Sequence, residues 1–455
     1  MTTSPEDTIV APATADGEAA LAIVRVSGPA ALDLTAAALD RPTEKIVPRR
    51  ASLGSYKDGA NQALDQLVYI FYPDKQSFTG EPMVEWMCHG NPLIVQKIVE
   101  DLIQRGCRLA EPGEFTRRAF LNGRMDLSQA EAVSDLIRAR SDKALDAARR
   151  QLEGTVGNKI NQLIAKILTT TAQLEAYIDF PEEDLPPEDQ EGPRKNLRDI
   201  DEELQNLSAT RHYRNLLTEG IRTVILGAPN AGKSSLLNAL VGEDRAIVSN
   251  LPGTTRDYIV ERILIGPYLL NIMDTAGIHT TESEIELIGI QHTMEQAKKA
   301  DLCLLVLDHS APNPTVPAEL KSVLDQTPSI VIENKCDLAR DSSFQNPLPQ
   351  SPCIAVSALK GQGMDALRQQ IQEQVEKGIA VPHPDAVLVS ARHAQALDLA
   401  RSHIESSLSL LSADEPAELA AQELHLAIDA MGQVIGKIDN ESMLDELFRS
   451  FCIGK

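Results

Sequence analysis

The period of the hydrophobic positions changes several times along the chain, and each change marks a boundary. Up to about residue 120, short strand-like runs mix with helical ones. Leu21-Ala22-Ile23-Val24-Arg25-Val26, Leu67-Val68-Tyr69-Ile70-Phe71-Tyr72 and Val84-Glu85-Trp86-Met87-Cys88 predict strands, and the stretch from Asn91 to Ile103 predicts an amphipathic helix that Gly106 ends. The pattern is that of an α+β domain. Arg25 and Glu85 stand inside apolar strands, where an isolated charge usually marks the solvent face.

From Leu127 to about Tyr177 the period is helical and no proline interrupts it. Leu127, Ala130, Val133 and Ile137 share a face, and Leu145, Leu152, Ile160, Leu163, Ile167 and Leu174 continue it, which predicts two long helices, antiparallel or end to end. An acidic, proline-broken connection at 179–187 reads as a solvated loop, followed by a third helix from about Arg194 to Leu217. Between 220 and 378 buried strand-like runs alternate with helices, the mark of a doubly wound, mostly parallel sheet. Helices return at 394–411 and from 417 to about 435. These late helices need a partner face, which the early ones offer. The expected organisation is therefore an N-terminal domain at 1–122 and a discontinuous helical domain at 123–219 and 379–455. A doubly wound domain at 220–378 is inserted in it.

Composition narrows this picture. A chain of 455 residues suits about three domains. Hydrophobic content of 43% is ample for packed cores, and aromatic content of 4% makes those cores aliphatic. A net charge of −23 argues against a broad nucleic-acid-binding face, leaving room for a local basic patch. The six cysteines form no C-x-x-C pair and mostly lie in apolar surroundings, as free thiols in a reducing compartment do. There is no basic start with an apolar block behind it, and no apolar run long enough to span a bilayer. The expectation is a cytoplasmic protein without membrane attachment.

The candidate chemistry begins at Gly227-Ala228-Pro229-Asn230-Ala231-Gly232-Lys233-Ser234, which fits G-x-x-x-x-G-K-[ST] between a strand at 222–226 and a helix from Ser235. Such a turn aims backbone N–H groups and the positive end of a helix at an anion. Lys233 would reach terminal phosphates and the Ser234 hydroxyl would hold Mg²⁺. A chance glycine turn is the bland alternative, but partner motifs follow in order. Pro252-Gly253-Thr254-Thr255-Arg256-Asp257 offers a threonine to Mg²⁺ when a γ-phosphate is present. Asp274-Thr275-Ala276-Gly277 follows the strand at 269–273, placing an aspartate near the metal and a glycine N–H near the γ-phosphate. Asn334-Lys335-Cys336-Asp337 closes another strand as an N-K-x-D guanine reader, and Ser357-Ala358-Leu359 completes the base pocket. Together they predict a GTP/GDP switch. The residue after the D-T-A-G turn is Ile278, where Ras-type proteins carry a water-orienting glutamine. Asn230 reads equally well as a ligand for a monovalent cation or as plain turn chemistry.

On these motifs the chain resembles the MnmE (TrmE) family of tRNA-modification GTPases from end to end. Further matching stretches are Ile23-Val24-Arg25-Val26-Ser27-Gly28, Ser77-Phe78-Thr79-Gly80-Glu81, Glu111-Pro112-Gly113-Glu114-Phe115-Thr116, Arg118-Ala119-Phe120-Leu121-Asn122-Gly123, Asp126-Leu127-Ser128-Gln129-Ala130-Glu131-Ala132 and Phe451-Cys452-Ile453-Gly454-Lys455. The resemblance implies an inserted Ras-like P-loop GTPase domain, and a homodimer joined through its N-terminal domains. Its G domains would meet in the presence of K⁺. It also implies a heterotetramer with a flavin-binding MnmG (GidA)-type partner. That assembly installs an aminomethyl-type group at C5 of the wobble uridine of tRNAs, with 5-formyl- or methylene-tetrahydrofolate as one-carbon source.

Carried over by residue, the folate site uses Arg25, Glu85, Arg124 and Lys455, which reverses the solvent-face reading of the first two. Asn230 becomes a K⁺ ligand together with Ser249, Leu251 and Thr254, while Ser234 and Thr255 hold Mg²⁺. The nucleotide contacts are Asn230, Ala231, Gly232, Lys233, Ser234 and Ser235, then Ser249, Asn250, Leu251, Pro252, Gly253, Thr254 and Thr255, then the D-T-A-G, N-K-x-D and Ser357–Leu359 motifs. Glu286, by itself an exposed helix residue, joins Asn230 and Thr255 in catalysis by positioning the attacking water, and Cys452 belongs to a tail needed for modification. The sequence departs from the family pattern at Asp16-Gly17-Glu18-Ala19-Ala20, at His89-Gly90-Asn91, at His279, and at Arg124, where lysine is frequent. A ribosome-assembly GTPase of the same K⁺-dependent class, and a folate enzyme whose G domain only regulates, are the alternative readings.

Overall fold

The computed structural model describes residues 7–179, 191–242, 259–273, 294–312, 316–378, 386–413, 415–437, 441–449, 451 and 453–454. The chain divides into two compact units, Met1–Ser134 with Leu152–Leu168 and His425–Lys455, and Asp135–Gln151 with Thr169–Leu424.

In the first unit β1 (Ile9–Pro12), β2 (Ala19–Ser27), β3 (Ser52–Lys57), β4 (Ala63–Tyr72), β5 (Met83–Gly90) and β6 (Arg108–Leu109) form one sheet in the order β3-β4-β5-β2-β1-β6. Every pairing is antiparallel except β1 with β6. Alternation decides which face is inside. Leu67, Tyr69 and Phe71 of β4 are buried, while their neighbours are half-buried. They pack with Val24, Val26 and Trp86, and with Ile98 and Leu102 of the helix Pro92–Gln104. Tyr56 meets Trp86 edge-on at 4.7 Å. The helix begins where the Asn91 side chain accepts from the N–H of Leu93 with proline behind it, and Gly106 follows its end at φ 104°.

The helical stretch after Leu127 holds three helices rather than two, Leu127–Arg138, Asp142–Leu152 and Thr155–Asp179. The breaks are local chemistry that the apolar period runs straight across. The Ser141 hydroxyl caps the second helix by accepting from the N–H of Ala144, and Gly154 takes a left-handed φ of 88° before the third. The helix Glu441–Arg449 also belongs to the first unit, with Leu444, Phe448 and Phe451 packed on Leu127 and Ala130 and an Arg117–Asp445 ion pair of 3.0 Å.

A buried ionic network fastens the helix Glu114–Leu121 to this sheet. Glu114, 3% exposed, accepts from Arg108, from Arg118 and from the N–H of Glu111. Arg118 also donates to Glu81 and to the carbonyl of Asp7, and Glu81 accepts from Ser27. Burial alone pushes the Glu114 carboxyl up, but the Arg108 and Glu111 hydrogen bonds and the two arginine charges outweigh it, so the group titrates below its ordinary 4.5. A depressed carboxyl stabilises the fold above its unfolded value, and that stabilisation disappears as pH falls through the folded value. Urea unfolding should therefore show Glu114→Gln less stable by about 3 kcal/mol at neutral pH, with the difference shrinking as the pH drops below about 4. Equal stability of the two proteins at neutral pH would remove the network from the account.

The second unit carries β7 (Ile221–Leu226), β8 (Ile259–Ile265), β9 (Tyr268–Met273), β10 (Leu302–Asp308), β11 (Ser329–Asn334) and β12 (Cys353–Ala355) in the order β12-β11-β10-β7-β9-β8. Only the β8–β9 pairing is antiparallel. The central strands are buried on both faces, which is why they read as unbroken apolar runs. One face packs on the helices Lys233–Val241 and Met364–Gly378, and the other on Leu324, Phe344 and Leu348. In the same unit the helix Ala391–Ser412 lies along Glu191–Glu219, where Arg401 forks onto Asp201 at 2.9 and 3.1 Å. No helix among the described residues is long and apolar enough to cross a membrane.

Candidate functional site

The loop between β7 and the helix Lys233–Val241 needs its glycines for two different reasons. Gly227 has φ 146°, and a Cβ there would lie 2.3 Å from the Val306 carbonyl oxygen of β10. Gly232, at φ 98°, begins the helix, and a Cβ there would lie 2.1 Å from the Asn334 amide nitrogen. Asn230, at φ 62°, is left-handed without being glycine, which asparagine tolerates best after glycine. Among the described residues no side chain caps the helix, and no acidic residue stands in its first turn, which leaves its N–H groups open to an anion. Ser234 and Ser235 are exposed there, and Ala231 is buried. Lys233 donates to the carbonyls of Gly227 and Ala228 at 2.8 and 2.9 Å. Burial lowers its pKa. An ammonium has three donors, so one remains to meet a phosphate oxygen.

The N-K-x-D stretch is stitched to that loop. Asn334, 3% exposed at the end of β11, donates to the Ala231 carbonyl at 2.9 Å and accepts from the N–H of Ala358 at 3.1 Å. One amide thus ties the phosphate loop, the Asn334–Asp337 turn and the Ser357–Leu359 turn together. Lys335 takes φ 65° and pairs with Asp308. Burial pushes the Asp308 carboxyl up, but the hydrogen bonds from Lys335 and Ser310 bring it below its ordinary value. The Asp337 carboxyl is also depressed, first by its hydrogen bond with Ser357 and then by Lys360, whose ammonium is 3.3 Å away. An ionised acceptor is therefore held between the Asn334 and Ser357 turns, as two neighbouring N–H donors on a base edge would require. Leu359 is 85% exposed beside it.

The first unit holds a second cluster. Arg25 and Glu85 stand opposite one another on β2 and β5, and Nε and Nη2 of the arginine donate to one carboxylate oxygen at 3.0 and 2.7 Å. The Tyr72 hydroxyl donates to the other oxygen at 3.4 Å. The guanidinium lies 5.5 Å from the ring centres of both Phe78 and Phe115, and its Nη1 donates to the Gly454 carbonyl at 3.3 Å. Gly454 itself has φ 93°, with no room for a Cβ against the Pro12 carbonyl. With side chains 18% and 15% exposed, Arg25 and Glu85 are not solvent-face charges, and the strand-pattern reading is corrected here. They turn inward because each neutralises the other. Arg124 is exposed, its stem beside Gly80, and is not bonded to Arg25 or Glu85 among the described residues.

The remaining expected residues lie outside the described ones. These are the 249–255 stretch, the D-T-A-G turn at 274–277, Glu286, Cys452 and Lys455. Sequence reasoning missed Asp308 and Lys360 around the guanine reader, and Tyr72, Phe78, Phe115 and Gly454 around Arg25. Phe78, Phe115 and Gly454 stood in quoted motifs, and an aromatic between polar motif residues was the signal available.

Two family models match the chain, one described as the MnmE helical domain over residues 127–452 and one as the GTP-binding protein TrmE N-terminus over residues 8–124. The tRNA modification GTPase MnmE of Opitutus terrae is 45% identical, with 99% of each chain covered. The protein of that name from Akkermansia muciniphila is 42% identical over 100% of each. The one from Chlorobium chlorochromatii is 39% identical over 99% of this chain and 98% of its own.

Proposed function

This chain belongs to the MnmE (TrmE) family of tRNA modification GTPases, and from that premise we propose a K⁺-activated hydrolysis of GTP coupled to modification of the wobble uridine. The coupled reaction adds an aminomethyl-type group at C5, drawing its carbon from 5-formyl- or methylene-tetrahydrofolate. It works as a homodimer with a flavin-binding partner of the MnmG type, and its G domain, 220–378, is inserted in the helical domain. The observation that carries the nucleotide half is the Asn334 amide bonded at once to Ala231 and Ala358. That geometry fixes base reader and phosphate loop at one spacing, which a mononucleotide matches.

The residues fit the groups the reaction needs. The uncapped helix start and Lys233 suit the phosphates, and the exposed Ser234 hydroxyl suits Mg²⁺ with Thr255 as its second protein ligand. Asn230 is left-handed and exposed, and with Ser249, Leu251 and Thr254 it would hold K⁺. Bound there, the cation would supply positive charge to the phosphates during hydrolysis. Glu286 would position water, since Ile278 cannot. In the first unit, the Arg25–Glu85 pair sets the remaining guanidinium N–H groups and the carboxylate beside the rings of Phe78 and Phe115, a fit for a flat polar heterocycle. Arg124 and Lys455 would add charge there.

Turnover of GTP in KCl against NaCl at equal ionic strength tests the reading. Stimulation of at least about tenfold by K⁺ alone is expected, on the scale of one electrostatic contact to the transition state, and Asn230→Ala should erase it. Equal rates in the two salts would overturn the cation mechanism and leave a GTPase activated from elsewhere.

A further inference from the structure

On the side of the second sheet opposite the phosphate loop, a carboxylate sits where the strand pattern calls for an aliphatic residue. Glu333 lies between Ile332 and Asn334 on β11, two residues on from buried Val331, and is 8% exposed. Three side chains converge on it. Arg340 Nη2 donates at 3.2 Å, His309 Nδ1 lies at 3.4 Å, and the Cys353 thiol donates at 3.3 Å. Partial burial and the Glu333 charge push that thiol up to about 12, so it stays a donor. Arg340 stacks over Phe344 at 5.0 Å, and Phe344 is 7% exposed in the core on that face.

The backbone shows what this clamp holds. The N–H of His309 donates to the Asn334 carbonyl at 2.9 Å, and the N–H of Asp341 donates to the His309 carbonyl at 3.1 Å. Between those anchors the chain makes a tight turn, Leu338 N–H to Lys335 carbonyl, with Lys335 strained at φ 65° and Asp337 inside it. A non-glycine residue stays left-handed only where its surroundings hold it there. One end of the turn is the strand itself. The other end is fastened by the Asp341–His309 backbone bond and, through its side chain, by Arg340 on Glu333.

We propose that Glu333 is a positioning residue for guanine recognition, its carboxylate clamping Arg340 so that the Asp337 turn keeps its register with Asn334. The inference rests on the guanine reading made above. It also explains why a carboxylate is retained at a buried strand position where an aliphatic residue would fit the pattern: an apolar residue there would release the turn.

The test uses the full chain and fluorescent methylanthraniloyl-GDP. Glu333→Val should lose some stability, since His309 and Cys353 lose their acceptor, and should release GDP about tenfold faster, the scale of one lost charge-assisted hydrogen bond. Its preference for GDP over IDP should also fall severalfold, because IDP lacks the exocyclic amine that a well-placed Asp337 accepts from. Arg340 is half-exposed, so Arg340→Ala tests the same bond without disturbing the core. It should reproduce both nucleotide effects, and the double variant should add little. Native release rates and native GDP:IDP preference in both variants would overturn the proposal. A native protein that does not prefer GDP to ADP would instead remove the guanine reading, and this inference with it.

Discussion

Lys233→Ala should lower GTP turnover by at least about a hundredfold, while the unfolding midpoint in urea stays within the scatter of surface substitutions. The two halves of this expectation have separate physical sources. The ammonium is tied to two carbonyls of its own loop, those of Gly227 and Ala228, so its removal leaves acceptors that water can reach at a half-buried site. The fold loses little. Charge developing on the phosphates during transfer has no other described cation so placed, and a preorganised donor in a partly desolvated loop is worth far more than the same charge in water. Steady-state phosphate release and urea unfolding on the same preparation decide it. Turnover within a fewfold of native would show that the lysine does not face the reacting phosphate. A large loss of stability would show instead that the lysine mainly holds the loop together.

Gly232→Ala should do the opposite and harm both properties. The residue sits at φ 98°, where a side chain costs about 1–3 kcal/mol, and its Cβ would lie 2.1 Å from the Asn334 amide nitrogen. Asn334 must then withdraw and give up its bonds to Ala231 and Ala358, each worth about 1 kcal/mol net. The expected sum is about 3 kcal/mol of stability and at least about a hundredfold in GDP affinity, since base reader and phosphate loop lose their common anchor. Titration with a fluorescent GDP and urea unfolding give the two numbers. Native affinity in this variant would mean that the amide link is incidental to binding.

The second sheet was legible because its central strands are largely buried on both faces, so each of β7, β9, β10 and β11 is a mostly apolar run, and a nucleotide motif follows β7, β9 and β11. Motif spacing carried the phosphate loop and the guanine reader just as directly, for their chemistry lies within a few residues of chain. The Ser141 and Gly154 breaks were visible as letters, yet the apolar stripe continued across them and outweighed them. The Arg25–Glu85 pair was not legible from strand patterning. A charge in a strand reads as solvent-facing unless its opposite number is known, and here the partner stands 60 positions away in a register that no local signal specifies. The resemblance to a family supplied that site where pattern could not. Glu333 shows the same limit from the other side, since nothing in Val331-Ile332-Glu333 tells that Arg340, His309 and Cys353 converge on it.

The bond from Arg25 to the Gly454 carbonyl spans 429 positions of chain, and both residues sit in the same compact unit, in which Phe448 and Phe451 are buried with Leu127 and Ala130. A single backbone cut anywhere between them turns one molecule into two fragments. Arg25 and its Gly454 partner then belong to separate polypeptides. What had been a tethered encounter at high effective concentration becomes an ordinary association that dilution can undo. A preparation nicked beyond residue 378 can thus run as intact in a concentrated sample, lose its distal segment on a dilute column, and keep residues 220–378 throughout.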